Sequence, residues 1–163
     1  MAWSDPTAWA QLLDGSACPM CSDAHLETNL HSQLIAELRQ SYARLAHNQY
    51  RRGYSVVILK RHANELYELT DVELAGFWRD VADTAALQRV FGAVKINDAV
   101  LGNLCPHVHC HLVPLYATEI PPPVLDWAEG EVVLDEQGRG PILANLQRYL
   151  GQLANPWGRR TGL

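Results

Sequence analysis

The 163-residue chain lacks the long apolar run of about 18 residues that a membrane-spanning helix needs. Its first residues do not form a positively charged, hydrophobic export signal, so we expect neither a membrane partner nor secretion. Only four cysteines occur, too few for a disulfide scaffold of this length, and a reducing, cytoplasmic environment is the expectation. Basic residues are also scarce. The net charge of −5 argues against a dedicated nucleic-acid binder, although a local cluster of donors would still hold a small anionic ligand.

Internal repeats and low-complexity tracts are absent too. A hydrophobic content of 48% in 163 residues suffices for one buried core and is too little for two comfortable domains. We therefore expect residues 1–163 to form a single domain.

The most informative feature that is present is a set of three histidines at alternate positions, His107, His109 and His111. In an extended strand, alternate side chains project from the same face, and the apolar residues between them point into a core on the other. Stacked imidazoles give a surface strand no folding advantage. The cluster therefore predicts a functional site.

Three interpretations of this cluster stay open at this point. Imidazole titrates near neutrality and serves as a nucleophile or a general acid, which predicts an enzyme. The same spacing suits a catalytic metal held by three histidines. The remaining interpretation is a solubilised strand with three incidental histidines.

The rest of the pattern predicts an α+β fold, with an antiparallel sheet and helices packed on it. Residues 53–60 are the clearest strand, because they are β-branched and nearly continuously apolar. Residues 31–50 fit either a helix or two strands joined near Gln40 and Ser41. Residues 1–25 are irregular in pattern.

A long helix is predicted after Thr70, which forms a capping box with Glu73. The helix should run to about Phe91 and end at Gly92. Its apolar stripe, which we interpret as packing, consists of Leu74, Phe77, Trp78, Val81 and Ala85.

Beyond this helix, residues 93–97 and 107–113 are predicted strands joined by a loop that contains Gly102. Residues 121–123 are three prolines that form a loop, and residues 131–135 are a candidate edge strand. Pro141 is expected to open a C-terminal helix. The apolar side of that helix would be formed by Ile142, Leu143, Leu146, Leu150 and Leu153.

A second cluster begins with Cys18 and Cys21, whose spacing is half of a tetrahedral zinc site. His62, just past the end of one predicted strand, and His107 are the two further ligands that we expect. A zinc ion with four protein ligands has no open position for water, so its role would be structural. Two free thiols and a capping histidine are the alternative. We assign His25, His31 and His47 to the surface. Of these, His25 is a spare ligand candidate.

At these residues the chain resembles the histidine triad (HIT) superfamily of nucleotide hydrolases and transferases, in the zinc-containing type found in bacteria. The motifs that carry the resemblance lie in 53–62, 65–70, 95–97, 101–103 and 107–113. It covers about residues 18–125 and leaves 126–163 as a C-terminal extension. The resemblance implies about five antiparallel strands with a long helix, a homodimer, a purine nucleotide ligand, and zinc on Cys18, Cys21, His62 and His107.

The resemblance also implies roles for individual residues. His109 would be the nucleophile that attacks the α-phosphorus of a nucleoside phosphate, a phosphoramidate or a dinucleoside polyphosphate. His111 would contact phosphate oxygens and assist the leaving group. Asn97 matches an amide near the scissile phosphate. The remaining substrate contacts implied are Gly102 and Asn103 at the phosphate, and Asn48 or Gln49 at the ribose.

Two positions depart from the family pattern. Leu104 stands where many members have Ser or Thr, and Leu115 stands where others have Arg. Both changes remove polar contacts to a polyphosphate or leaving group, so we expect an altered leaving-group preference. They also keep a second function in play, a nucleotide-binding regulatory dimer with little or no catalysis.

Overall fold

In the computed structural model, which describes residues 4–118 and 131–153, the chain forms the predicted α+β fold. The five strands make one antiparallel sheet in the order β1-β2-β3-β5-β4. Their bounds are β1 Ser32–Glu37, β2 Ser41–Ala46, β3 Ser55–Leu59, β4 Lys95–Val100 and β5 His109–Leu115. The helices are α1 Pro6–Leu13, α2 Pro19–Asp23, α3 Asp71–Leu87 and α4 Glu136–Leu153. Within the described ranges, no helix is long and apolar enough to cross a membrane.

The ambiguous segment 31–50 is a β-hairpin and not a helix. Strands β1 and β2 pair in antiparallel register, and Leu38 N–H donates to the carbonyl of Ser41 across the turn (2.8 Å). The turn is fixed to helix α3, because the buried carboxylate of Asp80 accepts the backbone N–H of Gln40 (2.8 Å). Tertiary contacts of this kind are not visible in the apolar periodicity, which is why the sequence left both options open.

Helix α3 begins and ends as predicted. Thr70 N–H donates to the Glu73 carboxylate (2.9 Å) and Glu73 N–H donates to the Thr70 hydroxyl (3.3 Å), which completes the capping box. A 3₁₀ turn follows to Phe91, and Gly92 ends it at a φ of 75°. Phe77 is fully buried, but Trp78 is 40% exposed, so the expectation that Trp78 packs in the core is wrong.

Two apolar clusters fill the space between the sheet and its helices. Under α3, the buried residues are Val57, Leu59, Ala63, Phe77, Val81, Val108, Cys110 and Leu112. The second cluster joins α4 to β1, β2 and the end of α3, and its buried residues are Ile35, Ala43, Leu45, Leu87, Ile142 and Leu146. The C-terminal helix thereby extends the core of the sheet.

Several boundaries differ from the predictions. The segment 1–25, irregular in pattern, contains α1 and α2; Asp5 caps α1 by accepting from the backbone N–H groups of Thr7 and Ala8. Helix α4 begins at Glu136 with Pro141 inside it, because Asp135 accepts the N–H of Gly138 and starts the helix earlier. Residues 131–135 form a single bridge, Val133 with Asn48, and no strand. The loop predicted at 121–123 and the side chain of Leu153 lie outside the described residues.

The sheet presents the imidazoles on the side away from α3. Cys110 and Leu112 of β5 face the α3 core, so the alternation of side chains along β5 puts His109 and His111 on the opposite face. Their cross-strand neighbours on β3 are Ile58 and Val56. His107 precedes the strand, and its ring belongs to a separate cluster.

Candidate functional site

The centre of the site is a pair of imidazoles in direct contact. The Nε2 atoms of His109 and His111 lie 3.1 Å apart, and their rings meet edge to face with centroids 4.8 Å apart. Two neutral imidazoles at this distance share one hydrogen, so one Nε2 donates and the other accepts. The pair therefore keeps one unprotonated ring nitrogen within the site.

Backbone geometry decides which nitrogen that is. The Nδ1 atom of His109 lies 2.5 Å from the carbonyl oxygen of His107, and a carbonyl oxygen only accepts. Nδ1 of His109 therefore carries the hydrogen, and Nε2 keeps its lone pair. Burial lowers the pKa of His109, an effect that the bond to the His107 carbonyl partly opposes. A neutral imidazole with a free Nε2 lone pair is the form that a nucleophile requires.

His111 is also neutral at physiological pH. Burial, together with the neighbouring charge that His109 would carry, lowers the pKa of His111 to about 4. Its Nδ1 atom lies 2.6 Å from the hydroxyl oxygen of Tyr54. His111 therefore acts at pH 7 as a hydrogen-bond donor through Nε2 and not as an imidazolium acid.

The second cluster brings together the four residues predicted to bind a metal. The ligand atoms of Cys18, Cys21, His62 and His107 all lie within 4.8 Å of one another. The Nδ1 atom of His107 is 3.4 Å from Cys18 Sγ and 3.5 Å from Cys21 Sγ. The Nδ1 atom of His62 is 3.2 Å from Cys21 Sγ and 3.3 Å from His107 Nδ1. Zinc bonds of about 2.0 Å to nitrogen and 2.3 Å to sulfur give tetrahedron edges of about 3.3–3.8 Å, which these separations match.

The tautomers of His62 and His107 leave a ring nitrogen of each residue unprotonated and able to bind a cation. His107 Nε2 lies 2.7 Å from the carbonyl of Leu59, and His62 Nε2 lies 3.0 Å from the carbonyl of Leu13. Each Nε2 carries the hydrogen, so both Nδ1 atoms face each other as lone pairs. Burial, the largest effect, lowers the pKa of His107 to about 4 and keeps its ring neutral. Two lone pairs in contact are favourable only with a cation between them. The donor set therefore fits a metal ion.

The N-terminal segment supplies the two sulfur donors, and its backbone conformation positions them. Cys18 is the N-cap of α2, with Pro19 at the first helical position. Gly15 has a φ of 83°, and a Cβ there would lie 3.2 Å from the His62 ring, so glycine suits this position on two counts. A third sulfur, which the spacing did not predict, is that of Cys105, 3.6 Å from Cys18 Sγ.

The interpretation in which one ion binds all three histidines does not fit this arrangement. Among the residues that the structure describes, the metal-type group contains His107 but neither His109 nor His111. The predicted spare ligand, His25, is exposed and also outside the group.

The structure places the predicted substrate contacts in different settings. Asn97 pairs with Val113 next to the Ala99–His111 pair, so it lies on the imidazole face of the sheet. Gly102 and Asn103 lie in the loop that joins β4 to His107, and Asn103 is exposed.

The amides of Asn48 and Gln49 have structural partners. Gln49 donates through Nε2 to the carbonyls of Ala46 (2.7 Å) and Tyr54 (3.1 Å), and its Oε1 accepts from Gly53 N–H (2.7 Å). Asn48 Oδ1 accepts the backbone N–H of Tyr50 and of Val132, at 3.0 Å each. Both side chains organise the loop that precedes β3. A ribose contact by either of them stays a prediction.

A buried arginine near the site was not predicted. Arg44 is fully buried and donates four hydrogen bonds, to the carbonyls of Ala24, Leu26 and Ser32 and to the Ser32 hydroxyl, at 2.6–2.9 Å. It attaches the segment after α2 to the sheet. Burial lowers the pKa of Arg44, which the charge of Asp23 opposes. No local sequence signal marks it, because an arginine in a strand is ordinarily exposed.

Comparison with known proteins assigns the chain to a family. The family described as HIT domain matches residues 27–118, more than half of the chain, and the protein belongs to the histidine triad family. An uncharacterized HIT-like protein of Methanocaldococcus jannaschii is 29% identical over an alignment of 90 residues, and the match covers 52% of this chain and 70% of that protein.

Solved structures share the fold. A hypothetical histidine triad nucleotide-binding protein of Sulfolobus tokodaii superposes with a TM-score of 0.69 at 16% identity, covering 90% of this chain and 100% of that one. A zinc-bound histidine triad family protein of Mycobacterium smegmatis gives a TM-score of 0.64 at 22% identity, covering 86% and 98%. The predicted five-stranded HIT-like fold is confirmed.

Proposed function

We propose that this protein is a nucleotidyl hydrolase or transferase that forms a covalent nucleotidyl intermediate on His109. Membership of the family supports binding of a nucleotide. The observation that carries the catalytic part is the bond from His109 Nδ1 to the His107 carbonyl (2.5 Å), which leaves Nε2 as a lone pair. A pure binding site has no need of an unprotonated nitrogen held in one tautomer.

The reaction balances in two steps. In the first, the Nε2 lone pair of His109 forms a bond to the α-phosphorus, and the bond from phosphorus to the distal group breaks with its electron pair leaving on that group. In the second, a water or other acceptor oxygen attacks phosphorus. The N–P electron pair then returns to Nε2, and the acceptor's proton passes to solvent or product phosphate.

Other residues of the site assist these steps. In the free protein the Nε2–H of His111 donates to His109 Nε2. Once that lone pair bonds to phosphorus, the same N–H donates to a phosphate oxygen or to the departing atom, which stabilises the charge that develops there. Asn97 lies on the same face and would contact the phosphate, and Gly102 and Asn103 would donate from the loop. Asn48 and Gln49 are retained as predicted contacts of the ribose side.

We propose zinc as the ion held by Cys18, Cys21, His62 and His107. Thiolate with imidazole is a donor set that zinc prefers, and four protein donors leave no position open for water. The ion would link the N-terminal segment to the residue that precedes β5. Its contribution is therefore to folding.

The decisive experiment is intact-protein and tryptic-peptide mass spectrometry after brief incubation with diadenosine tetraphosphate, adenosine phosphoramidate and adenylyl sulfate, each repeated with its guanosine counterpart. We expect the peptide that holds His109 to gain the mass of one nucleotidyl group, which is a nucleoside monophosphate less water, and no such gain in His109→Asn. Turnover of these compounds should fall by several orders of magnitude in that variant. Wild-type turnover by His109→Asn would contradict the assignment.

A nucleotide-binding regulatory protein is the second candidate, and the exposure of Leu104 favours it. Leu104 is 75% exposed in the loop before His107, where a hydroxyl donor to the leaving group would otherwise be expected. Tight binding of the same compounds with no turnover and no adduct would support this candidate and exclude the enzyme.

We also propose a homodimer. Strand β4 is at one edge of the sheet, where unpaired N–H and C=O groups favour pairing with another chain. Light scattering coupled to size-exclusion chromatography should give twice the chain mass, and a monomer at micromolar concentration would contradict this.

A further inference from the structure

Tyr54 lies immediately before β3, next to the imidazole pair. Its hydroxyl oxygen is 2.6 Å from His111 Nδ1, and the two rings stack with centroids 6.0 Å apart and planes 13° apart. Burial raises the pKa of Tyr54 to about 12, so the phenol keeps its proton at neutral pH. The hydroxyl is therefore available as a donor.

Tyr54, His111, His109 and the His107 carbonyl form one row of hydrogen bonds. Because the His107 carbonyl can only accept, it determines where every hydrogen in the row lies. The carbonyl of His107 only accepts, so the hydrogen of His109 is on Nδ1 and its Nε2 is bare. The His111 Nε2 atom, 3.1 Å away, must then donate to it. A neutral imidazole has one N–H, so Nδ1 of His111 is the acceptor of the Tyr54 hydroxyl. Each of these three hydrogen bonds therefore has one donor hydrogen and one acceptor.

The position of Tyr54 is itself fixed by the backbone around it. Its N–H donates to the carbonyl of Arg51 (2.8 Å). Its carbonyl accepts from Ala46 N–H (3.1 Å) and from the Gln49 amide (3.1 Å). A residue held at both ends presents its hydroxyl at a defined place.

We infer that Tyr54 is a positioning residue that holds His111 in the Nε2–H tautomer, so that the hydrogen directed at His109 Nε2 becomes available to the phosphate when that nitrogen bonds to phosphorus. This inference rests on the proposed function. Without the hydroxyl, the neutral ring is free to carry its hydrogen on Nδ1 or to turn about χ2. The donor that faces the phosphate would then be lost in part of the molecules, while the nucleophile stays in place.

The test compares Tyr54→Phe with Tyr116→Phe. The control also removes a phenolic hydrogen bond, the one that Tyr116 donates to the carbonyl of Arg52. Long-range ¹H–¹⁵N spectra of histidine-labelled protein at pH 7.5 report the tautomer of His111 without any substrate. We expect an unprotonated Nδ1 in wild type and in Tyr116→Phe, and a mixed or reversed pattern in Tyr54→Phe.

Kinetics with diadenosine tetraphosphate provide the second readout. We expect kcat of Tyr54→Phe to fall about 10–100-fold, as changes in groups that orient a reacting side chain typically do, with KM within about threefold of wild type. Tyr116→Phe should stay within about twofold of wild type on both constants.

The outcomes separate the two proposals. A protonated His111 Nδ1 in wild type overturns the inference even if Tyr54→Phe fails to fold, because that spectrum needs no variant. An altered tautomer with unchanged kcat also overturns it. If the wild type turns over none of the nucleotides, the proposed function fails, and the spectra still decide whether Tyr54 sets the tautomer.

Discussion

The ring and the backbone carbonyl of His107 serve different parts of the site. Its Nδ1 atom faces the sulfurs of Cys18 and Cys21, while its carbonyl oxygen accepts the Nδ1 hydrogen of His109. One residue thus joins the cluster of candidate metal ligands to the imidazole proposed as the nucleophile. Displacement of the His107 ring would move the carbonyl that defines the tautomer of His109.

The neutral state of His111 predicts a pH-dependent stability. The pKa of His111 is about 4 in the folded protein and about 6.5 in an unfolded chain, so the unfolded state binds the proton first as pH falls. The stability associated with this residue is present above pH 6.5 and is lost progressively as pH falls toward 4. Between pH 7 and 5, wild type should lose about 1–2 kcal/mol more than His111→Asn. Urea unfolding at both pH values measures this difference, and equal losses would contradict it.

Loss of the Cys21 thiol should abolish binding of the proposed zinc ion and weaken the fold. We expect Cys21→Ser to lose stoichiometric zinc, and its melting temperature to fall on the order of 10 °C, because the ion links the N-terminal segment to the sheet. His25→Ala is the matched control, since His25 is exposed and outside the donor group. Inductively coupled plasma analysis and calorimetry provide the readouts. A metal-free wild type purified with added zinc would refute the zinc assignment.

Replacement of Arg44 should be among the most damaging single changes. Arg44→Met leaves three carbonyls, two of them buried, and the Ser32 hydroxyl without their donor, at a cost of roughly 3–5 kcal/mol in unfolding free energy. Arg79→Met, which removes a 58%-exposed arginine paired with Asp83 at 3.9 Å, should cost less than about 0.5 kcal/mol. Chemical denaturation compares the two variants, and similar losses would show that the buried network is unimportant.

Leu104 is the position at which we expect leaving-group preference to change. Leu104→Ser adds a hydroxyl at an exposed site and should raise kcat/KM for diadenosine tetraphosphate about tenfold, or roughly 1.4 kcal/mol of transition-state stabilisation. The rate with adenosine phosphoramidate should change little. Leu101→Ser, in the same loop, is the control. Equal effects of both variants on both substrates would argue against a specific role for position 104.

The sequence predicted well those elements that are defined by local interactions. The capping box of Thr70 and Glu73, the end of that helix at Gly92 and the β-branched strand before Lys60 all depend on neighbours a few residues apart. The sequence also predicted that Cys18, Cys21, His62 and His107 come together, because the thiol spacing and the histidines at strand ends suggested one ligand set.

What could not be predicted depends on contacts between distant segments. Arg44 is buried because carbonyls of residues 24–32 converge on it, and no periodicity encodes that. In the sequence, nothing distinguishes Tyr54 from the other apolar residues of its strand. Only the pairing of β3 with β5 brings its hydroxyl to His111. The late start predicted for α4 came from assigning Pro141 to the first helical position, whereas Asp135 already caps the helix.

Cys105 places a further sulfur beside the cluster of candidate metal ligands. Its Sγ is 3.6 Å from that of Cys18, and it precedes His107 by two residues, so it stands beside a position that Cys18 would vacate. The Cys21 Sγ atom instead lies against the two imidazoles, 3.2 Å from His62 Nδ1 and 3.5 Å from His107 Nδ1. Cys18→Ser should therefore be tolerated better than Cys21→Ser. Because Cys105 can take the place of Cys18, single substitutions would underestimate the contribution of Cys18.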